Sequence, residues 1–103
     1  MSLQKTKTAN LLRICLKAGK AVKGFDSAKE ALERGKAFSV LTAMDASEKT
    51  LKEVSFFCKK YGAVHIRTEI FKEELGIMCG KQTAVIAVCD KGFTEGFLKI
   101  VTA

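Results

Sequence analysis

Proline is missing altogether from these 103 residues, and histidine and tyrosine occur once each. Without proline, and without any run rich in serine and glycine, nothing along the chain reads as a linker between domains. No segment repeats. One domain over 1–103 is expected, with residues 1–7 a disordered basic tail; a chain of this size buries roughly two-thirds of its unfolded surface in one core. The lone His65 leaves little for acid–base chemistry. No serine or cysteine has a paired base at recognisable spacing, and the Glu73-Glu74 pair points two ways around a helix. Neither an enzyme nor a small-molecule substrate is expected.

Long apolar runs are equally scarce. No stretch approaches the length of a membrane span, and Met1 to Thr8 is polar and basic, unlike an export signal. A cytoplasmic protein without a membrane partner is expected. The four cysteines, Cys15, Cys58, Cys79 and Cys89, form no Cys-x-x-Cys pair, and none stands close to His65. Zinc needs ligands paired on tight turns, so no metal is expected, and no cofactor. Each cysteine falls in an apolar stretch, where a reduced thiol acts as a small hydrophobe.

Acidic residues are sparse in one region only. Residues 1–36 hold nine lysines and arginines against Asp26, Glu30 and Glu33, which puts +6 of the net +7 on the first third. A one-sided basic field favours a polyanionic partner through steering and counterion release.

Helical and strand patterns alternate. A helix over Thr8–Ala18 presents Leu11, Leu12, Cys15 and Leu16 on one side and ends at Gly19. Ala21-Val22-Lys23 reads as a short strand. A second helix opens at Ser27, with capping-box spacing to Glu30, and stops at Gly35. Phe38 to Ala43 is a β-type run. Asp45 and Glu48 repeat the capping spacing before a helix that ends at Gly62. Val64 to Arg67 is a strand, Phe71 to Cys79 a short helix interrupted by Gly76, Thr83 to Cys89 a buried strand, and Thr94 to Val101 a last helix. The order α-β-α-β-α-β-α-β-α predicts a three-layer α/β/α sandwich with a four-stranded mixed sheet and helices on both faces.

Two segments invite a chemical reading. Gly76 to Thr83 looks like a phosphate-binding loop but fails. Its glycines are one residue too close, Gln82 stands where a hydroxyl is needed, and it follows a helix and precedes a strand. The turn Lys23-Gly24-Phe25-Asp26-Ser27 is stronger, because it joins a strand to a helix N-terminus, where backbone N–H groups and the helix dipole favour anions. Lys20 and Lys23 precede it, and Lys29 and Lys36 follow. Gly24 permits close approach. Phe25 either stacks on a base or tucks inward as a hydrophobic staple.

Gly24-Phe-Asp-Ser-Ala-Lys-Glu-Ala-Leu-Glu-Arg-Gly-Lys-Ala37, Val40-Leu-Thr-Ala-Met-Asp-Ala-Ser47, Phe71-Lys-Glu-Glu-Leu-Gly76 and Gly80-Lys81 together resemble the ribosomal L-seven-Ae / L-thirty-e superfamily over about Ala9 to Val101. Val88-Cys-Asp-Lys-Gly-Phe93 and the short loop before the last strand are more similar to its bacterial YlxQ-type branch. The resemblance implies the same sandwich and binding of structured RNA, typically the kink-turn, a sharply bent duplex. It implies a ribosomal or ribosome-associated protein, with ribosomal or other structured RNA as the partner. On that reading Lys20, Lys23, Lys29 and Lys36 hold phosphates, Gly24, Asp26 and Ser27 lie at the base edges with Lys81 flanking them, and Phe25 is the candidate to stack on a base.

The chain departs from the family at this turn. The usual run is Gly-x-Asn-Glu with a lysine three positions after the glutamate; here Gly24 matches, but Asp26, Ser27 and Glu30 occupy the other places. These departures are the best support for the alternative, a protein-interaction module on the same fold that has lost or weakened RNA contact.

Overall fold

A computed structural model describes residues 2–103; Met1, in the expected tail, lies outside the described residues. The elements are α1 (Leu3–Lys17), β1 (Ala21–Lys23), α2 (Phe25–Glu33), β2 (Ser39–Thr42), α3 (Glu48–Tyr61), β3 (Val64–Arg67), α4 (Lys72–Cys79), β4 (Val85–Val88) and α5 (Lys91–Val101). Their order is the expected alternation. The strands form one mixed sheet in the order β1-β4-β2-β3, with β2 and β3 parallel and β4 antiparallel to both of its neighbours.

Strand alternation divides the core into two layers. Leu41, Ile66, Ile86 and Val88 point to one side, against Leu12 and Cys15 of α1, Leu75 of α4 and Phe97 of α5. Val40, Val85 and Ala87 point to the other, against Ala28, Ala31 and Leu32 of α2 and Val54 and Cys58 of α3. Every residue of the central strands β2 and β4 is buried. This explains the unbroken apolar run of β4, which has helices over both faces.

Several boundaries differ from the sequence expectation for reasons of contact. Residues 3–7 are helical, which corrects the expected disordered tail. The Ser2 hydroxyl caps α1 by accepting from the Lys5 N–H (3.0 Å) and donates to Glu69, while Lys5 pairs with Glu74 at 2.8 Å. Those acids are far off in sequence, so no local pattern announces them.

Helix α2 begins at Phe25, two residues before the expected start, and the Ser27–Glu30 capping box is not formed. Gly24 occupies the N-cap with no side-chain cap. Its N–H donates to the Val85 carbonyl (2.8 Å) and its carbonyl accepts from the Ala28 N–H (3.0 Å). Ser47, not Asp45, caps α3 through the Thr50 N–H, and Asp45 instead accepts from the Lys72 N–H at 2.8 Å, joining the starts of α3 and α4. Helix α5 starts earlier than expected because Asp90 caps it through the Phe93 N–H. Gly76 is accommodated inside α4 because a Cβ there would stand 3.0 Å from the Gln82 backbone; the chain leading into β4 crosses this helix closely. Among the described residues, no helix is long and apolar enough to cross a membrane.

Candidate functional site

The site is built where β1 hands over to α2. Gly24 has φ 96° and ψ 153°, a conformation that L side chains rarely adopt, so the backbone itself requires glycine. A Cβ added there would meet nothing within 4 Å, which leaves the position open to an approaching ligand. Because no side chain caps α2, the amides of its first turn are free to receive an acceptor from outside, and the positive end of the helix dipole adds to them.

Lys23, Ser27 and Lys81 line one shallow hollow beside this turn, walled by Leu16, Ala21 and Val22. The structure therefore brings together residues 58 positions apart. It does so because β1 pairs with β4, which carries the loop Gly80–Ala84 to the start of α2. The Lys23 ammonium donates to the Cys79 carbonyl at the C-terminal end of α4. A cation there also meets the negative end of that helix dipole. Lys23 thus has a structural task besides any role at the surface, and its other donors remain for a ligand. Asp26, Ser27 and Lys81 are exposed.

Other predicted residues lie elsewhere. Phe25 tucks inward: it packs in the layer between α2 and α3, edge-on to Phe57 with ring centroids 6.3 Å apart. This is the inward, staple-like arrangement of the two readings, with the ring half-buried against α3. Lys29 lies over the Phe57 ring at 5.0 Å, turned toward α3 and away from the hollow. Lys20 and Lys36 sit at the opposite end of α2. The Lys20 carbonyl accepts the Cys89 N–H, and Lys36 acts on the Cys89 thiol, which burial pushes up while the lysine charge opposes it. Nearness in sequence does not place these lysines together: β1 sets Lys20, and α2 sets Lys36, apart from the turn. Leu16, Ala21 and Val22, which form the apolar wall, carried no sequence signal beyond their role as core candidates.

The titratable groups elsewhere are arranged for packing. Burial pushes the Cys15 and Cys58 thiols up to about 11, far from a reactive thiolate at neutral pH. His65 is half-buried and hydrogen-bonded to the Thr42 hydroxyl at 3.0 Å; burial first, and the Arg67 charge second, hold its imidazole below the ordinary value. Among the described residues, no group of three His, Cys, Asp or Glu side chains converges as a metal site.

Comparison with known proteins places this geometry in context. The sequence profile of the ribosomal protein L7Ae/L30e/S12e/Gadd45 family matches residues 6–97. A protein of Enterococcus faecium, "RNA-binding protein YlxQ", is 33% identical over 90 residues, covering 86% of this chain and 85% of its own length. Among solved structures, a protein of unknown function from Bacillus halodurans C superposes with a TM-score of 0.86 at 24% identity, covering 94% of this chain and 98% of that one. A Giardia lamblia 15.5kD RNA binding protein superposes with a TM-score of 0.79 at 21% identity, covering 99% and 88%. At those identities the two structures speak to the fold.

Proposed function

The chain belongs to the ribosomal protein L7Ae/L30e/S12e/Gadd45 family, and from that premise we propose that it is a non-catalytic RNA-binding protein that holds a bent, kink-turn-like RNA at the start of α2. The carrying observation is the open, side-chain-free N-cap at Gly24, flanked by Lys23 and Lys81. A kink crowds phosphates together, and a helix N-terminus with lysines at its rim offsets their repulsion. Asp26 and Ser27 stand at the base edges, where Asp26 accepts from guanine N–H donors. Glu30 inverts the sign of the family's lysine, but Arg34 pairs with it at 2.9 Å, which tempers its repulsion of phosphate. Lys20 and Lys36, at the far end of α2, contribute to the long-range field rather than to the contact. The proposal extends to association with ribosomal RNA in the cytoplasm, which the family membership supports.

Titration of a kink-turn RNA and a plain duplex of equal length across a salt series tests this. Tighter binding of the kink-turn at every salt concentration is expected. Failure to bind either RNA at low salt would falsify the proposal. Equal binding with a steep salt slope would leave only the electrostatic component.

A further inference from the structure

Helix α3 carries a patch that the Gly24 turn does not use. Phe56 is 61% exposed. Lys52 and Lys60 lie four positions before and after it, and Lys59 three after, so three lysines share its helix face. Glu53 is the one acid at those offsets. The ring is also buttressed. It meets Phe57 edge-on with centroids 5.2 Å apart, and Phe57 stacks on Tyr61 at 6.5 Å with planes 14° apart. Phe57 also touches Phe25, the residue directly after Gly24, so the aromatic chain runs from the first turn of α2 to the outer face of α3. Lys29 and Lys60 sit over the Phe57 and Tyr61 rings at 5.0 and 5.4 Å.

We propose that this face of α3 is a second contact, for single-stranded RNA: one base stacks on Phe56, and the neighbouring phosphates meet Lys52, Lys59 and Lys60. The proposal rests on the RNA-binding reading of the Gly24 turn and extends it. A held aromatic ring among cations is the combination that takes unpaired bases, since every base has a π-face and a phosphate beside it. Duplex bases are already stacked and cannot use such a platform. A protein partner fits less well, because the cores of protein interfaces are depleted in lysine, and here three lysines share the helix face of the exposed ring.

The test compares a blunt kink-turn RNA with the same RNA bearing a short single-stranded oligoadenylate extension that contains a fluorescent adenine analogue. The extension is expected to tighten wild-type binding roughly ten-fold, the worth of one stacked base, and the analogue is expected to be quenched. Phe56→Ala removes both effects, Phe56→Trp retains them, and both variants bind the blunt RNA as wild type does. Absence of any gain in the wild type, or a full gain in Phe56→Ala, overturns the proposal. If blunt RNA binds to none of the proteins, the Gly24 reading fails, and free oligoadenylate at low salt then tests Phe56 alone: quenching that Phe56→Ala abolishes supports the platform, and no quenching overturns it. A wild-type dimer that Phe56→Ala dissociates, with RNA binding unchanged, makes this face a contact between copies and likewise overturns it.

Discussion

The Gly24 turn and the outer face of α3 are both basic and both carry a phenylalanine, yet we propose them for different parts of a nucleic acid. At Gly24 the donors are backbone amides and the aromatic ring is folded under, where Phe25 helps to clamp α2 to α3. At Phe56 the backbone is sealed inside a helix and the ring stands outside among lysines. A turn with free amides suits clustered phosphates; an exposed, supported ring suits an unpaired base. Two basic regions of similar charge therefore differ in chemistry because of which way one side chain points.

The comparison breaks hardest at Gly24. A β-branched residue cannot comfortably hold φ 96°, so Gly24→Val is expected to cost about 1–3 kcal/mol of stability and to abolish preference for the kink-turn. Chemical denaturation and filter binding, done below the melting range, check the two effects separately. A variant that folds as well as wild type and keeps its preference removes the turn from the site. Next in size is a gain. Replacing Asp26→Asn, Ser27→Glu and Glu30→Lys together supplies the family's usual side chains and is expected to strengthen discrimination of kink-turn from duplex about ten-fold, in line with one or two base-edge contacts. The lost Glu30–Arg34 pair is exposed and worth little. No gain would mean that this turn does not read base edges.

Smaller effects sharpen the division along α2. Lys81→Glu is expected to weaken RNA binding several-fold and lower the salt slope by about one, with no change in melting temperature. Lys36→Glu, at the other end of the helix, is expected to change affinity about two-fold at most and uniformly across RNAs. Equal losses from the two variants would erase the distinction between contact and field. The smallest effect concerns stability alone. Burial lowers the folded pKa of His65, so its contribution is present above the unfolded value and is lost as pH falls from there through the lower folded value. The melting temperature is expected to fall modestly between about pH 7 and pH 5, and less in His65→Gln, as followed by circular dichroism.

Much of the architecture was legible beforehand because it depends on local periodicity. Alternation of strand and helix patterns, and the glycines that end α2 and α3, are properties of short windows, and they led to the three-layer arrangement. The boundaries that moved are those decided by distant partners. Ser2 and Lys5 extend α1 because Glu69 and Glu74 wait on another element. Asp45 is drawn away from its own helix by the Lys72 amide. The site behaved in the same way. The centre of the candidate site, Gly24 at a helix start, was visible in a pentapeptide, and Lys81 came with the family resemblance, but the shared surface was not visible: strand pairing brings Lys81 to the turn, Phe25 turns in against Phe57, and Lys20 and Lys36 end up beyond β1 and α2.

By itself, then, the sequence determined that this is an alternating α/β chain with a basic first third and a glycine turn suited to anions, because composition and spacing act over a few residues. Only the tertiary structure decided which lysines share a surface and which phenylalanines face solvent. Those depend on sheet order and on the competition between burial and exposure across the whole core, which no window of the chain contains.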